Sequence, residues 1–404
     1  MLLKIAWRNI WRNKKRSLIV LTSIVIGTIA AVVLDGLSIG MLNQMLFNQI
    51  NTGISYIQIH KKGFNDNKTV QNYMPDYKHV EDVLKKDPQI KYYSKRVITF
   101  GLLSSATNSS GVYMNGILPQ EEENVSVIKS SIVEGSYLTQ KQREILIGKD
   151  LAEKLGVGLG DKVVALCTTP DGTVGTDLFR ISGIYETASS EFDKVNIYIN
   201  LHSAQQMMGI GDNIYEFAIV PGDYERVPAI KDKLVSQLGN RYEVLSYIDL
   251  LPTLILSLDL YKESMLIFDI IIALALIFGI ANVMLMSVFE RIREFGVLMS
   301  IGIKNAKLFI MIIVEAFIIG VLGTVIGIGL GSLIELFLSK VGINLSIFAE
   351  SLKSFGVGAI IYPVLSLSNI ATLLMMIPFI SVLAAIYPSY KAIKLEPVSA
   401  IRYI

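Results

Sequence analysis

Four stretches of this chain are apolar enough, over about 20 residues or more, for a helix to cross the roughly 30 Å hydrocarbon core of a bilayer, and no other feature limits its fold so tightly. The first occupies 17–42 and opens SLIVLTSIVIGTIAAVVL; the second is 262–289, predominantly apolar from Met265; the third is 308–338 and the fourth 369–390. Across 404 residues, 52% are hydrophobic and 18% charged, too apolar for one soluble globule and too polar for ten or twelve spans. The excess is therefore local. Residues 43–261 contain no spanning run and show strand-like alternation and turn signals instead. The sequence predicts a membrane α-helical fold of four transmembrane helices with one large inserted α+β domain.

Basic residues set the orientation. Lys4, Arg8, Arg12, Lys14, Lys15 and Arg16 precede the first span, Arg291, Arg293, Lys304 and Lys307 follow the second, and Lys391, Lys394 and Arg402 follow the fourth. The loop 339–368 carries only Lys340 and Lys353. The positive-inside rule then puts segment 1–16, the loop 290–307 and the tail 391–404 in the cytoplasm and the 43–261 domain outside, periplasmic if the membrane is an inner membrane. A cleaved signal peptide fits less well, because the first run exceeds a typical h-region of about 7–15 residues and no small-x-small site follows it cleanly. Segment 1–16 interleaves Leu2, Leu3, Ile5, Ala6, Ile10 and Trp11 with Lys4, Arg8 and Arg12, and Trp7 and Trp11 lie one turn apart. It reads equally as an amphipathic helix on the inner leaflet and as a juxtamembrane basic patch.

The inserted domain shows strand patterns at 54–60, 162–167, 179–186, 195–200 and 215–220 and helix patterns at 80–86, 149–155, 203–208 and 226–238. It reads as one α+β domain or two small lobes. Nothing in it points to catalysis. GVGLGDK (Gly156–Lys162) lacks phosphate-loop spacing and reads as a turn between a short helix and a strand. No G-x-S-x-G or HExxH occurs. His60, His79 and His202 are scattered, single Cys167 has no disulfide partner in the chain, and no metal site is expected. Glu121, Glu122 and Glu123 read as a solvated loop. With 37 Lys+Arg against 35 Asp+Glu, the net charge of +2 gives no global case for nucleic acid.

The loop after the second span, FERIREFGVLMSIGIKNAKLFIMIIVEA (Phe289–Ala316), is the most informative stretch. Glu290, Arg291, Arg293 and Glu294 cluster on a short helix; Ile292, Phe295, Val297, Leu298 and Ile301 give it an apolar face, and Gly302 marks a turn back. Such a helix suits docking in a groove of a soluble partner, and equally a re-entry loop held by snorkelling arginines.

Here the chain resembles the FtsX/MacB-type permeases of ABC transporters. The E-R-x-R-E-[IF]-G pattern at Glu290–Gly296, Gly302 and Glu315 carry the resemblance. So do AWRNIWRNKKRS (Ala6–Ser17), the 133–164 stretch and YPSYKAIKLEPVSAIRY (Tyr387–Tyr403). With ISYIQIHKKGF (Ile54–Phe64) and only sixteen residues before the first span, the chain looks nearest to lipoprotein-release permeases of the LolC/LolE type. The resemblance implies a non-catalytic membrane subunit with no cofactor of its own. ATP and Mg are bound by a separate ABC ATPase that docks on the coupling helix, at Glu290, Arg291, Arg293, Glu294, Phe295, Gly296 and Gly302. It implies further a second permease, copy or paralogue, forming a dimer, and mechanotransmission, in which ATP-driven closure of paired spans moves the periplasmic domains.

The first span, continued as helix to about Ile50, would be about 50 Å long and form a stalk, and the second can do likewise from about Ser257. Asp269, Glu315 and Glu335 fall within or near spans, where structural or interfacial roles are expected ahead of a proton relay. The leading reading is extraction of lipoproteins from the outer leaflet of an inner membrane for handover to a periplasmic acceptor. Acyl chains would enter a cleft between the first and second spans, lined near their outer ends by Met41, Met45, Leu256, Leu260, Ile267 and Phe268. Alternatives are MacB-like efflux of a small molecule or peptide, and FtsX-like signalling to a cell-wall hydrolase, which the size of the 43–261 domain disfavours.

Overall fold

The computed structural model describes residues 2–12, 14–67, 69–74, 76–139 and 141–394. The family-like stretch beyond Lys394, including Arg402, and the side chains of Leu2, Leu3, Lys4, Ile5, Arg16 and Lys262 lie outside the described set. Two compact units form. One comprises residues up to Leu42, Ser257–Asn344 and those from Ile360 onward; the other comprises Asn43–Leu256 and Leu345–Ala359.

The first unit is helical: α1 (Leu2–Arg12), α2 (Lys14–Gln49, in this unit to Leu42), α3 (Pro252–Glu290, in this unit from Ser257), α4 (Ile292–Ser300), α5 (Asn305–Val341) and α6 (Leu367–Ile393). Helices α2, α3, α5 and α6 are long and apolar enough to cross a membrane. The expected spans 17–42, 262–289, 308–338 and 369–390 fall inside them, and each helix continues past both ends of its span. Helix α2 has 36 residues and α3 has 39, roughly 54 and 58 Å at 1.5 Å per residue, well beyond a bilayer core.

A glycine seam closes this unit. Gly323, Gly327 and Gly331 of α5 recur at the i, i+4 spacing of one helix face and meet Ile24, Thr28 and Val32 of α2, spaced in the same way. A Cβ on Gly323 would lie 2.6 Å from Ile24 Cγ2, and one on Gly327 2.5 Å from Thr28 Cβ. The two backbones therefore approach as closely as small residues allow, which is how apolar helices gain packing where lipid removes the hydrophobic drive. Gly320, on the same face of α5, packs against Ser381 of α6. Helix α3 is different. Leu276, Ile280, Met284 and Val288 bury one ridge, while Leu266, Ile267, Phe268, Ile270 and Ile271 in its first half remain exposed.

The second unit is built on one ten-stranded sheet, which decides between one domain and two lobes. Its strands are β1 (Ile57–Lys61), β2 (Ile90–Ser104), β3 (Ser109–Ile117), β4 (Ile132–Gly135), β5 (Glu144–Gly148), β6 (Lys162–Thr168), β7 (Val174–Tyr185), β8 (Asn196–Asn200), β9 (Glu216–Pro221) and β10 (Tyr242–Ser246). They lie in the order β10-β1-β9-β2-β3-β8-β5-β7-β4, with β6 bridging β2 and β7. Pairs β3/β8 and β5/β7 are parallel and the remainder antiparallel. The GVGLGDK stretch follows the helix Lys149–Leu155, whose C-cap Gly156 takes φ +65, and leads into β6.

The 121–123 run is not the solvated loop expected: Pro119–Glu122 is a short helix, and only Glu123 is exposed. Glu122 is fully buried and grips Arg96 of β2, Oε1 to Nη2 at 2.6 Å and Oε2 to Nε at 3.0 Å. Arg96 also donates to Glu216 of β9 at 2.9 Å and to the Gly53 carbonyl at 2.5 Å, while His60 Nε2 lies 3.0 Å from Glu216. Burial pushes the Glu216 carboxyl up, but the His60 hydrogen bond and the Arg96 charge outweigh it and hold it below the usual range. A charge run reads as solvated because its partner, 26 residues away in sequence, is invisible to local pattern.

Candidate coupling site

Helix α3 ends at Glu290 because Arg291 leaves helical geometry, with φ −106 and ψ 11, before α4 begins at Ile292. Helix α4 ends at Ser300, and Gly302 takes φ +94, a left-handed turn that favours glycine. The Gly302 amide donates to Met299 O at 3.0 Å and the Ile303 amide to Leu298 O at 3.1 Å, so the last carbonyls of α4 are satisfied before the chain turns into α5. The turn expected at Gly302 is thus an αL helix stop.

Helix α4 has two faces. Ile292, Phe295 and Gly296 are buried, whereas Arg293, Glu294, Val297 and Ser300 are exposed, as are Ile301 and Gly302 beyond them. What holds it in place is ionic. Buried Arg291 donates through Nη1 to both oxygens of buried Glu315 on α5, at 3.1 and 3.3 Å, and through Nε to Glu294 at 3.2 Å. Its guanidinium lies 5.2 Å from the centre of the Phe295 ring. From α1, Asn9 Nδ2 donates to Glu315 Oε1 at 2.7 Å and Arg12 pairs with Glu294. Partial burial raises the Glu294 carboxyl, yet the hydrogen bonds from Arg12 and Arg291 hold it below the usual carboxylate range. Five side chains thereby fasten α1, α4 and α5 together. A buried ion pair contributes little net stability once desolvation is counted, but it penalises every arrangement that separates its partners.

This changes the assignment of the expected docking residues. Arg291, Phe295 and Gly296 are interior groups, not surface offered to a partner, and Arg291 is ion-paired inside the protein instead of snorkelling. Glu290, Arg293, Glu294 and Gly302 are exposed. Sequence reasoning missed Asn9 and Arg12 as members of the cluster; it gave Glu315 a structural or interfacial role without naming Arg291 or Asn9 as its partners. The available signal was a carboxylate inside an apolar span, which demands a partner, with basic residues in the adjoining segments.

The proposed lipid-facing residues do not form a buried cluster. Leu256, Leu260 and Ile267 share one face of α3 and, with Phe268, are exposed; Met41 and Met45 are half-buried on α2. Of the acidic residues in spans, Glu335 is buried against Gly36 and lines a cavity of about 10 Å³ with Asp35, Ser366 and Asn369. Among the described residues no group of three His, Cys, Asp or Glu is placed to hold a metal.

A family model described as the MacB-like periplasmic core domain matches residues 17–237, more than half of the chain, and one described as the FtsX-like permease C-terminal matches 266–397. The chain belongs to the FtsX/MacB-type permeases of ABC transporters. The lipoprotein-releasing system transmembrane protein LolC of Xylella fastidiosa is 25% identical over 344 residues, 82% of this chain and 82% of that protein. The macrolide export ATP-binding/permease protein MacB of Acinetobacter baylyi is 23% identical over 80% of this chain and 50% of its own length. Among solved structures, the periplasmic region of MacB from Actinobacillus actinomycetemcomitans aligns with 52% of this chain and 96% of its own at 15% identity and a TM-score of 0.36. Permeases of this family are membrane components that work with an ATPase, and the four long helices and the inserted domain agree with that class.

Proposed function

We propose that this chain is the membrane subunit of a lipoprotein-releasing ABC transporter, converting ATP-driven movement at α4 into movement of the inserted domain. The observation that carries the coupling half is the cluster of Asn9, Arg12, Arg291, Glu294 and Glu315, which makes α4 move as one body with α1 and α5. A force applied to the exposed side of α4 then reaches the helices directly. The docking surface on this reading is Glu290, Arg293, Glu294, Val297 and Ile301, with Gly302 allowing the turn, and Arg291, Phe295 and Gly296 position it.

Orientation follows the basic residues: α4 and both termini face the cytoplasm, and the inserted domain lies in the periplasm. The separate ATPase binds ATP and Mg. The exposed first half of α3 favours a second permease, identical or paralogous, packed against it, with lipid and acyl chains meeting Leu256, Leu260, Ile267 and Phe268, and Met41 and Met45 on α2. Similarity to LolC over most of both chains supports lipoprotein as cargo and a periplasmic acceptor as its destination. Similarity to MacB supports efflux of a small molecule or peptide as the second reading. Purification from native membrane with its ATPase, followed by identification of co-purifying lipid-modified protein, separates them: bound triacylated lipoprotein supports the first, and its absence alongside a bound small molecule or peptide supports the second.

A further inference from the structure

Between α5 and α6 the chain folds back on itself. Strand β11 (Ile343–Asn344) pairs antiparallel with β12 (Ile360–Ile361), and between them come a 3-10 turn, Ser346–Phe348, and a short helix, Ala349–Ser354. One side of this loop is engaged by protein. Gly356 and Val357 are buried, the Gly356 carbonyl accepts from Asn48 Nδ2 at 2.9 Å, and Lys353 pairs with Glu186. The Lys353 hydrogen bond, with Lys149 beside it, outweighs partial burial and holds the Glu186 carboxyl below its ordinary range. Its large apolar side chains are uncovered: Ile347 is 94% exposed, Phe355 64% and Phe348 60%.

Chain continuity selects what covers that side. Phe337 and Val341 carry the exposed apolar surface of α5 to its last turn, and Leu367 resumes it at the first residue of α6. Ile347 stands six residues past Val341 and so within about 20 Å of it, even for fully extended chain. Three large apolar side chains pointing away from protein, on a loop tied at both ends to membrane-spanning helices and carrying Glu350 and Lys353 beside them, have the composition of an interfacial segment. We propose that Ile347, Phe348 and Phe355 insert into the headgroup and acyl boundary of the leaflet on the inserted domain's side, making this loop a lipid-surface anchor for that domain.

The consequence is mechanical. The loop holds lipid with one side and Asn48 and Glu186 of the inserted domain with the other, so movement of that domain disturbs lipid beside the spans, where a lipid-anchored cargo would lie. The anchor itself is independent of what the cargo is.

The test uses the full chain in lipid nanodiscs, where both faces are open to solvent. Trp7 and Trp11, the only tryptophans, are replaced by Phe, and one tryptophan is introduced as F348W or F355W. With 6,7-dibromo-phosphatidylcholine in the disc, emission of each is expected to fall by about two-fold or more while iodide in solution quenches weakly, as for a ring at the headgroup boundary. Strong iodide quenching without bromolipid quenching would overturn the proposal, and so would resistance to both, which would mean a protein contact. Because the readout needs no ATPase and no cargo, its failure would leave the lipoprotein reading untouched.

Discussion

Replacing Glu315 by Gln tests whether the buried ion pair seats α4. The native carboxylate accepts one hydrogen bond from Asn9 and two from Arg291. Gln keeps the volume and an acceptor for Asn9 but removes the charge, leaving the buried Arg291 guanidinium with only half-exposed Glu294 as a counter-ion. Breaking one side of a buried pair costs about 3–5 kcal/mol; with Glu294 still present the lower figure applies, about 3 kcal/mol. At 1.4 kcal/mol per factor of ten, that shifts the balance between seated and released α4 by roughly 100-fold. Hydrogen exchange of the 292–300 amides, measured on the full chain in nanodiscs, should therefore accelerate by up to about that factor in E315Q. Exchange in β5, in the inserted domain, should not change. The double variant R291M/E315L replaces both charges by apolar groups and should restore most of the protection, since a buried pair exchanged as a whole is close to neutral. Unchanged 292–300 exchange in E315Q, or equal losses in both variants, would refute the claim that this pair fixes α4.

Three further outcomes are expected. Charge and polarity changes on the exposed side of α4, R293E with V297D, should abolish co-purification of the ATPase while leaving the melting temperature of the permease within a few degrees; retained ATPase would move the docking surface elsewhere. Gly327→Leu forces a side chain where a Cβ alone would sit 2.5 Å from Thr28, so it should separate α2 from α5 at a cost of about 1–3 kcal/mol, read as a lowered detergent-solubilised melting temperature that Gly329→Leu, whose Cβ meets nothing within 4 Å, does not share. In the inserted domain, burial pushes the Asp193 carboxyl up to about 6 against the Thr187 hydrogen bonds that favour its charged form. A carboxyl raised on folding contributes stability below its unfolded value of 3.8 and loses it as pH climbs through about 6. Thermal unfolding of D193N should therefore lack part of the fall in stability that the native chain shows between about pH 4 and 7, and identical pH profiles would remove Asp193 from the account.

The long apolar helices were legible because lipid imposes one rule on every residue of a span, and basic clusters flank them. Strands β6, β8 and β9 were legible from alternation. The longest hairpin, β2 with β3, was not: its exposed face carries Phe100, Leu102 and Tyr113, so apolar residues fall on both faces and blur the period-2 signal. The α5 glycine seam had a visible i, i+4 spacing that hydropathy alone passes over. The coupling cluster was half legible. Its motif at 290–296 names the segment, but Arg291 and Phe295 look as available in sequence as Arg293 and Val297 do, and only the helical phase of α4 against α5 separates inward from outward. Asn9 and Glu315 lie 306 residues apart, a pairing no local pattern contains.

On the proposed function, α4 and its ionic cluster couple a partner's ATP hydrolysis to release of lipid-anchored cargo. The direct measurement is ATP-dependent transfer of a triacylated lipoprotein from proteoliposomes holding this permease, its second permease and its ATPase to a soluble periplasmic acceptor, with native chain and E315Q side by side. Transfer is expected with the native chain, and in E315Q continued ATP hydrolysis with transfer per ATP reduced at least several-fold. Robust hydrolysis without lipoprotein transfer by the native chain, or an unchanged transfer-to-hydrolysis ratio in E315Q, would contradict it.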